Sequence, residues 1–263
     1  MMTFTIDLIS DLHLHTWPTE PLENQATSYH CLVVGDVTND RRLLTRHLAH
    51  LGRCYQAVFY IDGNDEHRDN LDNLGESYKT LARDLSKIPN VVYLQDNVVV
   101  VEGVAIIGTN GWWNFDFDHS IDPVQSALWY KEKEQLNDLE IENIRKAANI
   151  DATYMMQSIR RLQKHRDVKK IIVATHTVPD PDLIAHDIDL DGKLKFNTMG
   201  NKYLQYALDV DTENKVHTWC FGHYHGSVDQ TKNGVRYVNN CRGRGDSKYS
   251  TYAYHPKRIT VEY

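Results

Sequence analysis

Short apolar runs alternate with amphipathic stretches through the first third of the chain. Residues 4–9 predict a mostly apolar first strand, and residues 31–34 and 57–61 are β-rich and are stopped by Gly or Asp, as buried parallel strands are. Between the second and third, residues 40–51 carry Leu43, Leu44, Leu48 and Leu51 at helical spacing. Residues 71–88 predict a second helix, closed by Pro89. This β-α-β-α order predicts a sheet with helices on its faces. Residues 91–94, 97–101 and 104–108 follow with short polar separators and predict an antiparallel meander. An aromatic cluster (Trp112, Trp113, Phe115, Phe117) then breaks the pattern. Two helices are predicted after it. Residues 124–148 are polar and charged. Residues 151–166 put Met155, Met156, Ile159 and Leu162 on one face, with Asp151 at the N-cap. The opposite face (Arg160, Arg161, Lys164, Arg166) reads as solvated. Strands resume at 170–174, 216–221, 235–238 and 258–261. No repeat, low-complexity segment or linker intervenes, so residues 1–263 read as one domain, with 111–166 as a helical insertion or lid.

Composition narrows the class. With 41% hydrophobic and 25% charged residues, the 263-residue chain is an ordinary globular protein. No apolar run reaches the roughly 20 residues that span a bilayer. The first ten residues lack the basic and apolar segments of a signal peptide, so a cytoplasmic location is expected. Cys31, Cys54, Cys220 and Cys241 form no CxxC pair and read as free thiols. A net charge of −7 argues against broad nucleic-acid binding, which needs a basic footprint.

The chemistry sits where the apolar runs end. Asp11-Leu12-His13, Gly35-Asp36, Gly63-Asn64-Asp65-Glu66, Thr175-His176 and Gly222-His223-Tyr224-His225 each follow a predicted strand. Open α/β sheets gather ligands outside the carboxyl ends of their strands. Asp11 and His13 are one residue apart, so an extended segment points both the same way. Asp11, His13, Asp36, Asn64, His176, His223 and His225 supply seven donors, enough for two divalent ions. Mixed imidazole and carboxylate donors suit Mn foremost, or Fe, Zn, Co or Ni, rather than Ca. Two such ions clamp the attacking and leaving oxygens of a phosphoryl transfer and hold a hydroxide nucleophile between them.

This series resembles the calcineurin-like metallophosphoesterases, whose signature runs DxH, GD, GNHE or GNHD, TH or GH, and GHxH, over nearly the whole chain. The resemblance implies a four-layer α-β-β-α sandwich of mixed sheets. It also implies that Asp11, His13, Asp36 and His225 hold one metal, and Asp36, Asn64, His176 and His223 the other. The expected function is metal-dependent hydrolysis of a phosphomonoester or phosphodiester, whether a small nucleotide or a phosphoprotein. A non-catalytic scaffold and a nuclease of the same fold are the alternatives. The segment 111–115 and Asn240-Cys241-Arg242-Gly243 resemble, more loosely, the WTDF-like and NPRG stretches of a bacterial and phage branch.

One position departs from the pattern. Asp65 stands where the family has the His of GNHE, a residue that stabilises the transition state or protonates the leaving group. Nearby metals would lower a carboxyl pKa, so Asp65 is a poor acid. Three readings follow: Asp65 is a spectator or orients a ligand, His67 swings in as the acid, or the leaving group needs none. Asn39, Trp112, Trp113 and Arg242 are candidate substrate contacts, the tryptophans through base stacking and Arg242 through phosphate. His30, His47, His50, His165 and His186 take no role.

Overall fold

The computed structural model describes residues 2–18, 25–185, 190–248 and 250–263; His186 lies outside them. The first sheet runs in the order β11-β1-β2-β3-β4, from β1 (Thr3–Ile9), β2 (His30–Val34), β3 (Ala57–Ile61), β4 (Val91–Tyr93) and β11 (Lys257–Glu262). Strands β1 to β4 are parallel, and β11 closes the edge antiparallel to β1. The second sheet runs β5-β6-β7-β8-β10-β9, from β5 (Asn97–Val101), β6 (Val104–Thr109), β7 (Lys170–Thr175), β8 (Val216–Phe221), β9 (Asp229–Lys232) and β10 (Val235–Asn239). Its four inner strands are parallel and its edges antiparallel.

Strand periodicity distributes the core. In β1, Ile6 and Leu8 face the second sheet, where they join Leu32, Phe59, Ile106, Ile172 and Cys220. Ile9, Val33, Val58 and Tyr60 face the other way, onto Leu44, Leu48 and Leu51 of α1 (Arg41–Cys54) and Leu81 and Leu85 of α2 (Leu74–Leu85). The second sheet turns Ile107, Ile171, Val173 and Trp219 onto Met155, Ile159 and Leu162 of α4 (Asp138–Leu162). The result is four layers, α-β-β-α, as expected. Each sheet is buried on both faces, so truncating one such side chain, Ile172→Ala for example, costs about 2–5 kcal/mol.

Two expectations need correction. The predicted meander divides between sheets. β4 pairs parallel with β3, and only β5 and β6 form a hairpin, because the chain crosses from one sheet to the other between Tyr93 and Asn97. The predicted helix break near residue 150 is absent. The break falls instead between α3 (Pro123–Glu134) and α4, where Gln135 is left-handed and Asn137 closes a capping box with Glu140. Asp151 is therefore no N-cap. It is buried inside α4. Within segment 111–166, α4 packs Met155, Ile159 and Leu162 into the main core.

Candidate metal centre

The motif loops meet at the carboxyl ends of β1, β2, β3, β7 and β8, fastened by backbone hydrogen bonds. Asp11 N donates to Gly35 O (3.0 Å), His13 N to Asp36 O (3.0 Å) and Gly222 N to His176 O (2.8 Å). The expected extended segment at Asp11–His13 is not what the chain adopts. Asp11, His13, Asp36 and His223 all have left-handed backbones, with φ of 50°, 42°, 51° and 64°. For non-glycine residues this region is sparsely populated, and it concentrates at functional sites. Tight turns, not strand alternation, aim these side chains. The loops also approach too closely for a side chain at several glycines. A Cβ at Gly63 would collide with Asp36, and one at Gly222 with Ser10 and Asp11.

The donors form two groups. Asp11, His13 and His225 place one ligand atom each within 4.8 Å of one another, and so do Asp36, His176 and His223. Asp36 reaches both groups: its Oδ2 is 3.8 Å from His13 Nε2, and its Oδ1 is 3.4 Å from His176 Nε2. His13 Nε2 and His225 Nε2 lie 3.0 Å apart, and His225 Nε2 is 3.4 Å from Asp11 Oδ1. Asn64 Oδ1 sits 3.2 Å from His176 Nε2.

Three imidazoles have one nitrogen tied back, which fixes the nitrogen left for the centre. His13 Nδ1 donates to Asp65 Oδ2 (2.9 Å), His176 Nδ1 to Val34 O (2.9 Å) and His223 Nε2 to Thr198 O (3.1 Å). Trp113 stacks on the His223 ring at 5.3 Å and 16°. The site is strongly polarised. Burial pushes the Asp11 carboxyl up, but the His225 hydrogen bond and the His176 charge outweigh it and hold it at about 2. Asp36 is likewise driven well below the carboxylate range, against burial, by His176 and His13. Burial lowers His176, yet the Asp36 charge overcomes it and raises the imidazole to about 10. Burial and His176 together lower His223 to about 4. The donor types, their convergence and their tied-back nitrogens all fit two divalent ions.

The remaining candidates separate. Asp65 joins the centre through His13, and its backbone N–H donates to Asp36 Oδ1 (2.9 Å). His67 does not face the cluster as an acid would. It is buried, with Nδ1 on Ser77 Oγ (2.7 Å) and Nε2 on Asp62 Oδ2 (2.9 Å), and its ring packs on Tyr78. Both nitrogens are engaged, so swinging in would break two buried hydrogen bonds. Trp112 and Trp113 are 0% and 1% exposed, which leaves no face for a base. Asn39 is exposed on the loop between β2 and α1. Arg242 is buried, with its guanidinium 3.8 Å above the Trp17 ring.

Sequence reasoning missed three contributors. Glu66 accepts from four backbone amides, those of Gly63 (2.6 Å), Asp36 (3.0 Å), Val37 (2.7 Å) and Thr38 (3.2 Å), and so joins the β2 and β3 loops. Burial and the Asp36 charge push its carboxyl up to about 8. Asp151 holds the aromatic loop through Gly111 N (2.7 Å) and Trp112 N (3.2 Å). His15 groups with His13 and Asp65, with one ligand atom of each within 4.8 Å. The second histidine of His13-Leu14-His15 was the available signal for it.

No family profile matches the chain, and no curated protein sequence matches it. Solved structures do. A phosphopantetheinyl hydrolase from Mycobacterium tuberculosis superposes with a TM-score of 0.69 at 17% identity, over 96% of this chain and 95% of that one. A dimetal phosphatase from Danio rerio superposes at 0.55 and 15% identity, over 98% and 91%. GAP50, the anchor in the inner membrane complex of Plasmodium, superposes at 0.52 and 10% identity, over 95% and 75%. The chain has the metallophosphatase fold that it shares with this dimetal phosphatase and this phosphopantetheinyl hydrolase. Among the described residues, no helix is long and apolar enough to cross a membrane.

Proposed function

We propose that the protein is a dinuclear metal-dependent phosphoesterase acting on a phosphomonoester or a small phosphodiester, with Mn²⁺ as the first candidate metal. One observation carries the reading: the two carboxylate oxygens of Asp36 address two separate imidazole groups, 3.8 Å and 3.4 Å away. A core pair of histidines has no need of a carboxylate shared in this way. Asp11, His13, Asp36 and His225 would hold one ion, and Asp36, Asn64, His176 and His223 the other. When bound, the ions supply Lewis acidity toward the phosphoryl oxygens and a nucleophile at neutral pH. The chain's part is to orient. Asp65 fixes the His13 ring, the Thr198 carbonyl fixes His223, and the Val34 carbonyl fixes His176. No imidazole occupies the acid's place at residue 65, which favours esters with good leaving groups.

A non-catalytic scaffold is the second reading. Asp65 favours it, and an anchor protein shares the fold. Metal content and turnover discriminate. The metal-free protein, reloaded with excess Mn²⁺ and desalted, should retain about two ions per chain and hydrolyse activated phosphate esters. Retention of under one ion, or two ions with no hydrolysis across monoesters, cyclic nucleotides, dinucleotides and phosphopeptides, would sink the enzyme reading.

A further inference from the structure

The two oxygens of Asp11 have different neighbours. Oδ1 faces the candidate centre, 3.4 Å from His225 Nε2 and 4.0 Å from His13 Nε2. Oδ2 is turned away from it, toward Ser10 and Cys241. Ser10 Oγ donates to Oδ2, and Cys241 Sγ lies 3.0 Å from it. The backbone N–H of His223 spans both oxygens, at 3.0 Å and 3.1 Å. Cys241 belongs to neither group of converging donors, so its sulfur stands behind the carboxylate rather than among the ligands.

The backbone sets Cys241 in this place. Ser10 and Cys241 form an isolated parallel bridge, and beside it Arg242 N donates to Ser10 O (3.1 Å) and Gly243 N to Asp11 O (3.0 Å). Tyr254 and Asn240 pin the same segment to β1: Ser10 N donates to Tyr254 Oη (3.0 Å), and Asn240 Nδ2 to Leu8 O (2.9 Å). On its other side Sγ reaches the β8 loop. It is 3.1 Å from Tyr224 O, the carbonyl between His223 and His225. The thiol has one proton and two acceptors within reach. The carboxylate is the charged one, and hydrogen bonds to an ionised partner are roughly twice as strong. Asn239 serves the carbonyl instead: its Nδ2 donates to Tyr224 O at 2.9 Å and lies 3.6 Å from Sγ. Asp11 and His225, both expected on one ion, are thus joined from behind by Cys241 and Asn239. The space behind Asp11 is tight, since even a Cβ at Gly222 would strike Oδ2.

We propose that Cys241 is a positioning residue: its thiol donates a hydrogen bond to Asp11 Oδ2 and so aims Oδ1 at the ion shared with His13 and His225. This deepens the proposed function and rests on its metal reading for the ion, while the hydrogen bond itself stands without metal. The sulfur touches no ion and no substrate; it acts through Asp11.

Two measurements test it. In metal-free protein, the infrared S–H band that Cys241→Ser removes should lie below the band of an unbonded thiol, and Asp11→Ala should move it up. In calorimetric titration with Mn²⁺, Cys241→Val should weaken the His13–His225 site by about tenfold, the low end for a group that orients a ligand, because a thiol is a weak donor. The His176–His223 site should stay near its wild-type affinity. Valine fills the sulfur's place without a proton, so it separates donation from packing. Cys241→Ser keeps a donor and should recover most of the loss. The infrared measurement decides even if Cys241→Val fails to fold. A band at the unbonded position, a band that Asp11→Ala leaves in place, wild-type affinity in Cys241→Val, or a Cys241→Ser variant as weak as Cys241→Val overturns the proposal. Any of these in a protein that still binds two ions leaves the metal reading standing. A wild type that binds no Mn²⁺ sinks the metal reading, and the positioning role with it, even where the band behaves as expected.

Discussion

Asp65→Ala tests whether the carboxylate acts through His13. Asp65 Oδ2 lies 2.9 Å from His13 Nδ1, and both residues are buried, at 5% and 2% exposure. With Nδ1 held there, Nε2 is the nitrogen turned toward Asp36, Asp11 and His225. Alanine removes a charged acceptor from a buried donor, worth about 1.5–3 kcal/mol. At 1.4 kcal/mol per factor of ten, that is a loss of roughly 10- to 100-fold in affinity at the His13 site. Removing a partner that orients a ligand weakens metal binding by about the same range. The backbone amide of residue 65 still donates to Asp36 in the variant, so the His176–His223 site should weaken far less. Calorimetric titration of Mn²⁺ into metal-free protein should therefore show one weakened site and one near the wild-type value. Asp65→Asn, which keeps an acceptor oxygen, should fall between. Unchanged affinity at both sites would refute the orienting role, and equal weakening at both would show that Asp65 acts through Asp36 instead.

Other outcomes follow from the same geometry. Asp65→His should raise turnover of esters with poor leaving groups relative to activated ones; a uniform loss across leaving groups would argue that no acid is missing. His67→Ala should lower the melting temperature through Asp62 and Ser77 and leave the pH–rate profile in place, whereas loss of the acidic limb would restore His67 as the proton donor. Glu66 and Asp151 are raised from 4.5 to about 8 and from 3.8 to about 7, so their stabilisation is complete below the lower values and is lost as pH rises through the higher ones. Metal-free protein should accordingly melt lower at pH 8.5 than at pH 6. Mn²⁺ should reduce the difference, because metal binding displaces protons and strengthens with pH; a metal-free melting temperature that climbs from pH 6 to 8.5 would contradict this. Asp151→Ala strands the buried amides of Gly111 and Trp112 and should cost about 2–4 kcal/mol in thermal unfolding.

Much of the fold is written in local periodicity. The apolar run of β1 and the leucine spacing of α1 each coincide with buried positions in the structure. The failures share a cause, which is that the choice of partner is not local. Residues 91–94 look like the start of a meander, but their hydrogen bonds go to β3 at the edge of the first sheet, and nothing within the segment encodes that. Asp151 looks like a helix cap because Asp usually is one; it stays mid-helix because the amides of Gly111 and Trp112 satisfy it. At the site, residue types and order were enough to bring His176 and Asn64 together from positions 112 residues apart. For Asp65 the residue types leave three readings; the His13 contact bears on the first and the two engaged nitrogens of His67 on the second. Glu66 was quoted as part of a motif and given no task, since four amide partners on two loops leave no trace in the sequence.

The seam made by Glu66 bears on how the centre would lose and regain its ions. The β2 and β3 loops are held together by a side chain and backbone amides of the chain itself. A chelator should therefore strip the protein without unfolding it, and hydrogen exchange at the Val37 and Thr38 amides should stay slow in the stripped form. Refilling then requires no chain rearrangement, and its rate should follow the free ion's own loss of water. The exchange partner in a cell is then set by which cation is abundant, and the frame stands ready for any of them.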